Sequence, residues 1–289
     1  MTTARRSVRP RKRKPADDRN QPDASVPIDS WEELVETLSS LSASWTFRGQ
    51  SDARWPLQST LARRFISTGI HPEAWPEQEN RILRIFKRKA HLFLDHIPDD
   101  VDSFRWLGMM QHHGAPTRLL DFTWSFYVAA FFALEGATSD AAIWAVNLNA
   151  LEESVKVGDR RKASPYRLGP WVEGNYEKYF LDNKLSFAVY GEPRIMNQRL
   201  IAQSGTFIIP STLAEPVEAI LSRYSHPKPF VKYILKTDKL RAIAMRKLYS
   251  MNITHYTLFP GLDGLARSMG FEAEYNWAFD PRTMKRRLE

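Results

Sequence analysis

Gln111-His112-His113-Gly114-Ala115-Pro116-Thr117-Arg118-Leu119-Leu120-Asp121-Phe122-Thr123 holds a helix end, a stop and a buried element within thirteen residues. Phe104 to His112 reads as a helix, with Trp106, Leu107 and Met110 in phase, and Gly114-Ala115-Pro116 ends it. Thr117 to Phe122 reads as a short buried strand. Two histidines, an arginine, an aspartate and two threonines crowd this junction. His112 and His113 are adjacent, so they point apart on a helix and make a poor metal pair. Asp121 lies among Leu and Phe, where a carboxylate must be paired or functional. Arg118 as its structural partner is the plain alternative to a functional site.

Outward from this block, helices and strands alternate irregularly. Upstream, Trp45 to Gln50 alternates apolar and polar residues, as a strand does. Residues 77–95 form an amphipathic helix with Ile82, Leu83, Ile85, Phe86, Ala90 and Phe93 inward. Downstream, Ser125 caps a helix over Phe126 to Glu135 that is apolar nearly all round and therefore central. Strands are expected at Ala141 to Leu148, Leu200 to Ile209 and Phe230 to Leu235, with helices at Lys239 to Met251 and Leu265 to Met269. Residues 150–190 show no firm period and read as an insertion. The mixture lacks βαβ regularity, so the expected class is α+β, one mixed domain over residues 28–289.

Composition narrows the function classes. The 289 residues are 43% hydrophobic, enough for a packed core. There is no cysteine, which excludes disulfides, thiolate catalysis and thiolate-held metals. No apolar run spans a bilayer, and no apolar stretch follows the first charges, so the expectation is a cytoplasmic protein. The net charge is +8, of which +6 falls in residues 1–19. Residues 1–27 are therefore expected to be a disordered basic tail, either a solubiliser or a tether for nucleic acid or an anionic surface. The P-loop, the Rossmann fingerprint and the nucleophile elbow are all missing.

Two further clusters carry candidate chemistry. In Phe47-Arg48-Gly49-Gln50, an arginine at a strand end can aim its planar fork at phosphate or carboxylate, with glycine allowing close approach; a structural ion pair is the alternative. In Asn197-Gln198-Arg199-Leu200-Ile201-Ala202-Gln203-Ser204-Gly205-Thr206-Phe207, Arg199 and Gln203 flank a strand start, placed for a ligand or for ordinary turn chemistry.

These clusters, in this order, resemble the FRG domain, a bacterial and phage family with a (Phe/Tyr)-Arg-Gly motif. The resemblance takes in Phe47-Arg48-Gly49-Gln50, Trp55, Leu57, Leu61, Arg63 and Glu79, the block from Gln111 to Thr123, and the Ala129/Phe131/Phe132/Ala133 helix. Arg199, Gln203, Gly205, Phe207, Leu258-Phe259-Pro260 and Asp263-Gly264-Leu265 complete it. Ser59 stands where the family often has proline. The aromatic-Arg-Gly strand, Thr123-Trp124-Ser125 before an Ala/Phe-rich helix, and the strand after Gln203 are also similar to three motifs of arginine-type ADP-ribosyltransferases. That likeness implies a central sheet split into two parts, an NAD-like pocket with Arg48 at phosphate or ribose, and an effector acting as a toxin or in phage defence. It implies Arg48, Asp121, Thr123 and Gln203 at catalytic positions. Gly49, Gln50, His112, His113, Thr117, Arg118 and Arg199 are the substrate-binding candidates, and no metal is implied. The chain departs from those enzymes where their third strand carries a glutamate: it reads Gln203-Ser204-Gly205-Thr206. Glu79, Asp121 or Glu192 would have to stand in for it. A non-catalytic module binding nucleic acid or protein is the competing function, and a nuclease built on Glu79, Asp121 and His113 a more distant one.

Overall fold

The computed structural model describes residues 25–153, 155–157, 161–276 and 278–286. Nine strands are present among them: β1 (Val26–Ile28), β2 (Trp45–Gln50), β3 (Leu120–Thr123), β4 (Ala141–Asn147), β5 (Val155–Val157), β6 (Arg161–Ala163), β7 (Ala188–Gly191), β8 (Gly205–Pro210) and β9 (Phe230–Leu235). The helices are α1 (Trp31–Ser39), α2 (Thr60–Ser67), α3 (Trp75–Ala90), α4 (Ser103–His112), α5 (Phe126–Leu134), α6 (Leu148–Leu151), α7 (Pro165–Leu168), α8 (Gln198–Ala202), α9 (Val217–Leu221), α10 (Thr237–Ser250), α11 (His255–Leu258) and α12 (Leu262–Glu274). Seven strands form one mixed sheet in the order β1-β9-β4-β2-β3-β8-β7, with helices flanking it, and β5 and β6 pair separately. This is an α+β fold.

The sheet is continuous in name but nearly divided in its middle. β2 pairs with β4 along all six of its residues, from Trp45↔Asn147 to Gln50↔Ala142. On its other side β2 meets β3 at one pair, Phe47↔Thr123. Thr46 Oγ1 reinforces this point by donating to the Thr123 carbonyl oxygen at 3.0 Å. Beyond it the strands part, and an opening remains between the β2 residues after Phe47 and the β3 residues before Thr123.

Helix α5 explains the glycine of the Phe-Arg-Gly motif. It is buried on nearly every side, as its sequence demands, with Val128, Ala129, Ala130, Phe131, Ala133 and Leu134 in the core. It crosses β2 so closely that a Cβ on Gly49 would lie 2.0 Å from the Ala129 carbonyl oxygen and 2.6 Å from Ala133 N. Phe47 points to this side, with α1, α5 and α10 sharing its core. By the period of two, Arg48 and Gln50 point to the other face. There a second core passes beneath the divide, joining Leu120, Phe122 and Ile208 from one half to Trp144, Val146 and Phe230 from the other. A third packs α3 and α4 against Leu119, Val189, Phe207 and Ile209.

Several sequence expectations change. The chain enters the sheet at Val26, two residues before the expected start, because β1 pairs in parallel with β9; most of the expected tail lies outside the described residues. The expected long helix ends at Ala90, and Phe93 is 84% exposed, since His91–Phe93 turns into a short 3-10 segment that rotates the stripe off the core. Residues 200–202, expected to open a strand, belong instead to helix α8, capped by Asn197, whose Oδ1 accepts from Leu200 N at 2.8 Å; Ser204 then turns the chain with φ 47°. Within residues 150–190, where no period is legible, Tyr176, Phe180 and Phe187 are fully buried in the core with α3 and α4. Elements of only four to six residues, including a π-helical turn at Tyr176–Leu181, left no period to read.

Candidate functional site

A cavity of about 260 Å³ occupies the opening between β2 and β3. Arg48, Gly49, Gln50, Asp121, Thr123, Arg199 and Gln203 all line it. Trp55 and Arg63 from the segment after β2 and Phe132 from α5 complete the wall. Arg48 fills the gap where the β2–β3 ladder stops. Its Nη1 donates to the Asp121 carbonyl oxygen at 2.6 Å and lies 3.9 Å from Asp121 Oδ2. Its Nε is buried without a partner. Burial, opposed by Asp121 and aided by Arg63, lowers the pKa of this guanidinium, which still carries its charge at neutral pH.

Two more arginines converge on the same space. Arg63, on α2, donates through Nη1 to the Gln58 carbonyl oxygen at 2.8 Å, and burial lowers its pKa. Arg199, on α8, lies over the Phe259 ring at 4.6 Å. Burial lowers its pKa too, with Asp121 opposing and Arg267 aiding the shift. Among the described residues Asp121 is the one carboxylate in the cavity wall, and its side chain is 45% exposed. Gln111 Nε2 donates to Asp121 Oδ2 at 2.8 Å, and Thr117 Oγ1 donates to Gln111 Oε1 at 2.7 Å. Three cations around one carboxylate leave the cleft, among the described residues, with an excess of positive charge.

The other expected site residues separate into distinct roles. Thr123 reaches the cavity but donates its hydroxyl to the Gln203 carbonyl oxygen at 2.7 Å and accepts from Ser125 N at 3.1 Å. Gln203 donates Nε2 to the Leu258 carbonyl oxygen at 3.0 Å. Gln50 is held at both ends of its amide, by Trp144 Nε1 and the Pro56 carbonyl oxygen, and so anchors the segment that presents Trp55. Gly49, in the cavity wall, is also where α5 approaches β2 most closely. Thr117 is buried behind Gln111 and acts on Asp121 through it.

Arg118 departs most from expectation. It is completely buried and pairs with Glu79 instead of Asp121, through Nε to Oε1 at 2.7 Å and Nη2 to Oε2 at 2.5 Å. Its Nη1 donates to the Pro210 and Ser211 carbonyl oxygens. Burial opposes the charge, yet Glu79 outweighs it and raises the Arg118 pKa. Tyr176 Oη donates to Glu79 Oε1 at 3.0 Å, and burial pushes that phenol well above its ordinary pKa. Neither Arg118 nor Glu79 lines the cleft, so Glu79 is removed as a stand-in acid. Glu192 is removed as well, since it lines a different cavity and accepts from Trp124 Nε1 at 3.0 Å.

His112 and His113 line a neighbouring cavity of about 950 Å³, which shares Arg199 with the cleft and adds Arg267 and Asp263. Their rings meet edge to face at 4.7 Å. Burial, with His113 and Arg199, lowers the pKa of His112. Sequence reasoning missed Arg63, Trp55 and Phe132 as wall residues and Gln111 as the partner of Asp121. The ten-residue spacing of Gln111 from Asp121 across the Gly114 turn was the available signal. Among the described residues no group of three or more His, Asp or Glu side chains is placed to hold a metal ion, and no helix is long and apolar enough to cross a membrane.

No curated protein and no solved structure matches the chain. Residues 43–142, which carry β2 with Arg48, the walls from α2 and α5, and the Gln111–Asp121 pair, match the FRG domain.

Proposed function

We propose that the cleft between β2 and β3 binds the phosphate groups of a nucleotide of the NAD type. The observation that carries this reading is the convergence of Arg48, Arg63 and Arg199 on one cavity whose wall holds a single carboxylate. The buried, unpartnered Nε of Arg48 fits a ligand oxygen, because a buried guanidinium donor without an acceptor is costly. Trp55, 47% exposed at the cavity wall, offers an aromatic surface to a base or ribose. NAD would supply an ADP-ribose group activated at its glycosidic bond. Arg48 and Arg63 would hold its phosphates, and Asp121, positioned by Gln111, would set its negative charge beside the reacting sugar. The setting that goes with such chemistry is a toxin or phage-defence effector that consumes NAD.

Incubating the full chain with NAD and measuring free nicotinamide tests the reaction; calorimetric titration with NAD and ADP-ribose tests the pocket. Binding of both with nicotinamide released supports transfer or hydrolysis. Binding without release supports a second reading, a nucleotide-binding module without catalysis. The absence of an acid in Gln203-Ser204-Gly205-Thr206 favours that second reading. No binding of either ligand overturns both. The expected basic tail forms a separate proposal, as a tether for nucleic acid: removing residues 1–25, ahead of β1, should abolish most salt-sensitive binding to DNA or RNA. An unchanged salt slope would contradict it.

A further inference from the structure

A second cavity, of about 660 Å³, lies where the β3–α5 junction, α7 and β7 meet. Four aromatic side chains line it: Trp124, Tyr166, Trp171 and Tyr190. Two carboxylates stand among them, each held by an aromatic donor. Trp124 Nε1 donates to Glu192 Oε1 at 3.0 Å, and Tyr190 Oη donates to Glu152 Oε1 at 3.1 Å. Among the described residues neither carboxylate forms an ion pair. Trp171 is fixed in the wall. Its Nε1 donates to the Tyr166 carbonyl oxygen at 3.0 Å, and its ring lies so close to Gly191 that an added Cβ there would sit 2.5 Å from it. The Tyr166 and Trp171 rings are 5.7 Å apart at their centroids. Trp124 and Tyr166 are 41% and 75% exposed, so large aromatic surface is left to solvent beside the two carboxylates.

We propose that this cavity binds an organic cation, a quaternary ammonium group of the trimethylalkylammonium kind. Aromatic rings attract such a cation through their negative faces, and carboxylates among them add charge. A guanidinium or a primary ammonium would look for several acceptor oxygens. Here Oε1 of each carboxylate already receives an aromatic N–H or O–H, and although Oε2 stays open, the four rings of the wall present faces and not acceptors. A quaternary nitrogen carries no N–H and needs charge and contact alone. The volume leaves room for the group that bears the ammonium. Arg194, also in the wall, is the cation that opposes such a ligand. This site is independent of Arg48 and of the nucleotide reading.

The test is a titration of the full, isotope-labelled chain with choline, followed by the indole signals of its tryptophans and compared with dimethylbutanol, the neutral carbon isostere. Choline is expected to shift the Trp124 indole signal and to bind at least about tenfold more tightly than the isostere. The double variant Glu152→Gln/Glu192→Gln should lose at least that factor while melting as the parent does, Arg194→Ala should tighten binding, and Arg48→Ala should leave it unchanged. Equal affinity for choline and its isostere, no response to choline, or indifference to loss of both carboxylates overturns the proposal. A trimethyllysine peptide and phosphatidylcholine vesicles, each competed with choline, identify the source of the ammonium. A source that binds without competition does so elsewhere and counts against the site.

Discussion

Arg48 in β2 and Arg118 in the bend just before β3 both donate to backbone carbonyl oxygens, and both face one carboxylate, yet their surroundings differ in kind. Arg118 is sealed: it meets both oxygens of Glu79 and two carbonyls, with Tyr176 closing the group from the other side. Arg48 stands in an opening where one ladder pair has failed to become several. It meets one carbonyl, sits at the edge of reach of Asp121, and keeps its Nε unpartnered. Saturation, not mere burial of charge, separates the two: one guanidinium has its donors taken up by the fold, the other keeps a buried donor free.

Breaking the sealed pair should give the largest effect. Arg118→Ala leaves Glu79 buried without its cation, at a cost of about 3–5 kcal/mol, and Glu79→Ala should cost a similar amount. Thermal or urea denaturation measures both; a loss below about 1 kcal/mol would mean that the pair is not held as described. Gly49→Ala comes next. Its Cβ must displace the α5 backbone, a strain of about 1–3 kcal/mol or more. A variant as stable as the parent would show that α5 does not rest on β2.

The open site should respond the other way. Arg63→Ala and Arg199→Ala should each weaken nucleotide binding about ten- to hundredfold and leave the melting temperature nearly unchanged, because losing one charge-assisted contact costs about 1.5–3 kcal/mol of binding. Calorimetry beside a melt separates the two quantities, and a large stability loss with unchanged affinity would place them with Arg118. The smallest effect belongs to His112. Its folded-state pKa lies below the usual 6.5, so the unfolded chain binds more protons in the window just under that value. Stability should therefore rise with pH through that window and level off above it. His112→Phe should flatten the slope; an unchanged slope would remove His112 as its source.

Much of this comparison could be read before the fold was known, and the limits have physical causes. β2, α4, α5 and β9 were legible because their apolar periods run for six residues or more. The motif residues Arg48, Asp121, Thr123 and Gln203 do meet at one cavity although they are spread along the chain. Partnership was not legible. Arg118 and Asp121 are three residues apart, but Arg118 lies in the bend before the short strand that holds Asp121, and its partner comes from α3. The role of Gly49 was hidden for the same reason, since what approaches it is α5, eighty residues later. Residues 150–190 escaped because short elements bury single large side chains without a repeat.

The central claim is that Arg48 is a ligand-binding arginine in an open cleft. Titration of ADP-ribose into the parent, Arg48→Lys and Arg48→Ala, with a melting curve for each, tests it most directly. A lysine keeps the charge but loses the planar fork, so both variants should lose affinity to nearly the same extent, with the fold retained. A fall in stability of about 3–5 kcal/mol in Arg48→Ala, with ADP-ribose still bound by the molecules that stay folded, would contradict the claim and make Arg48 a second sealed arginine.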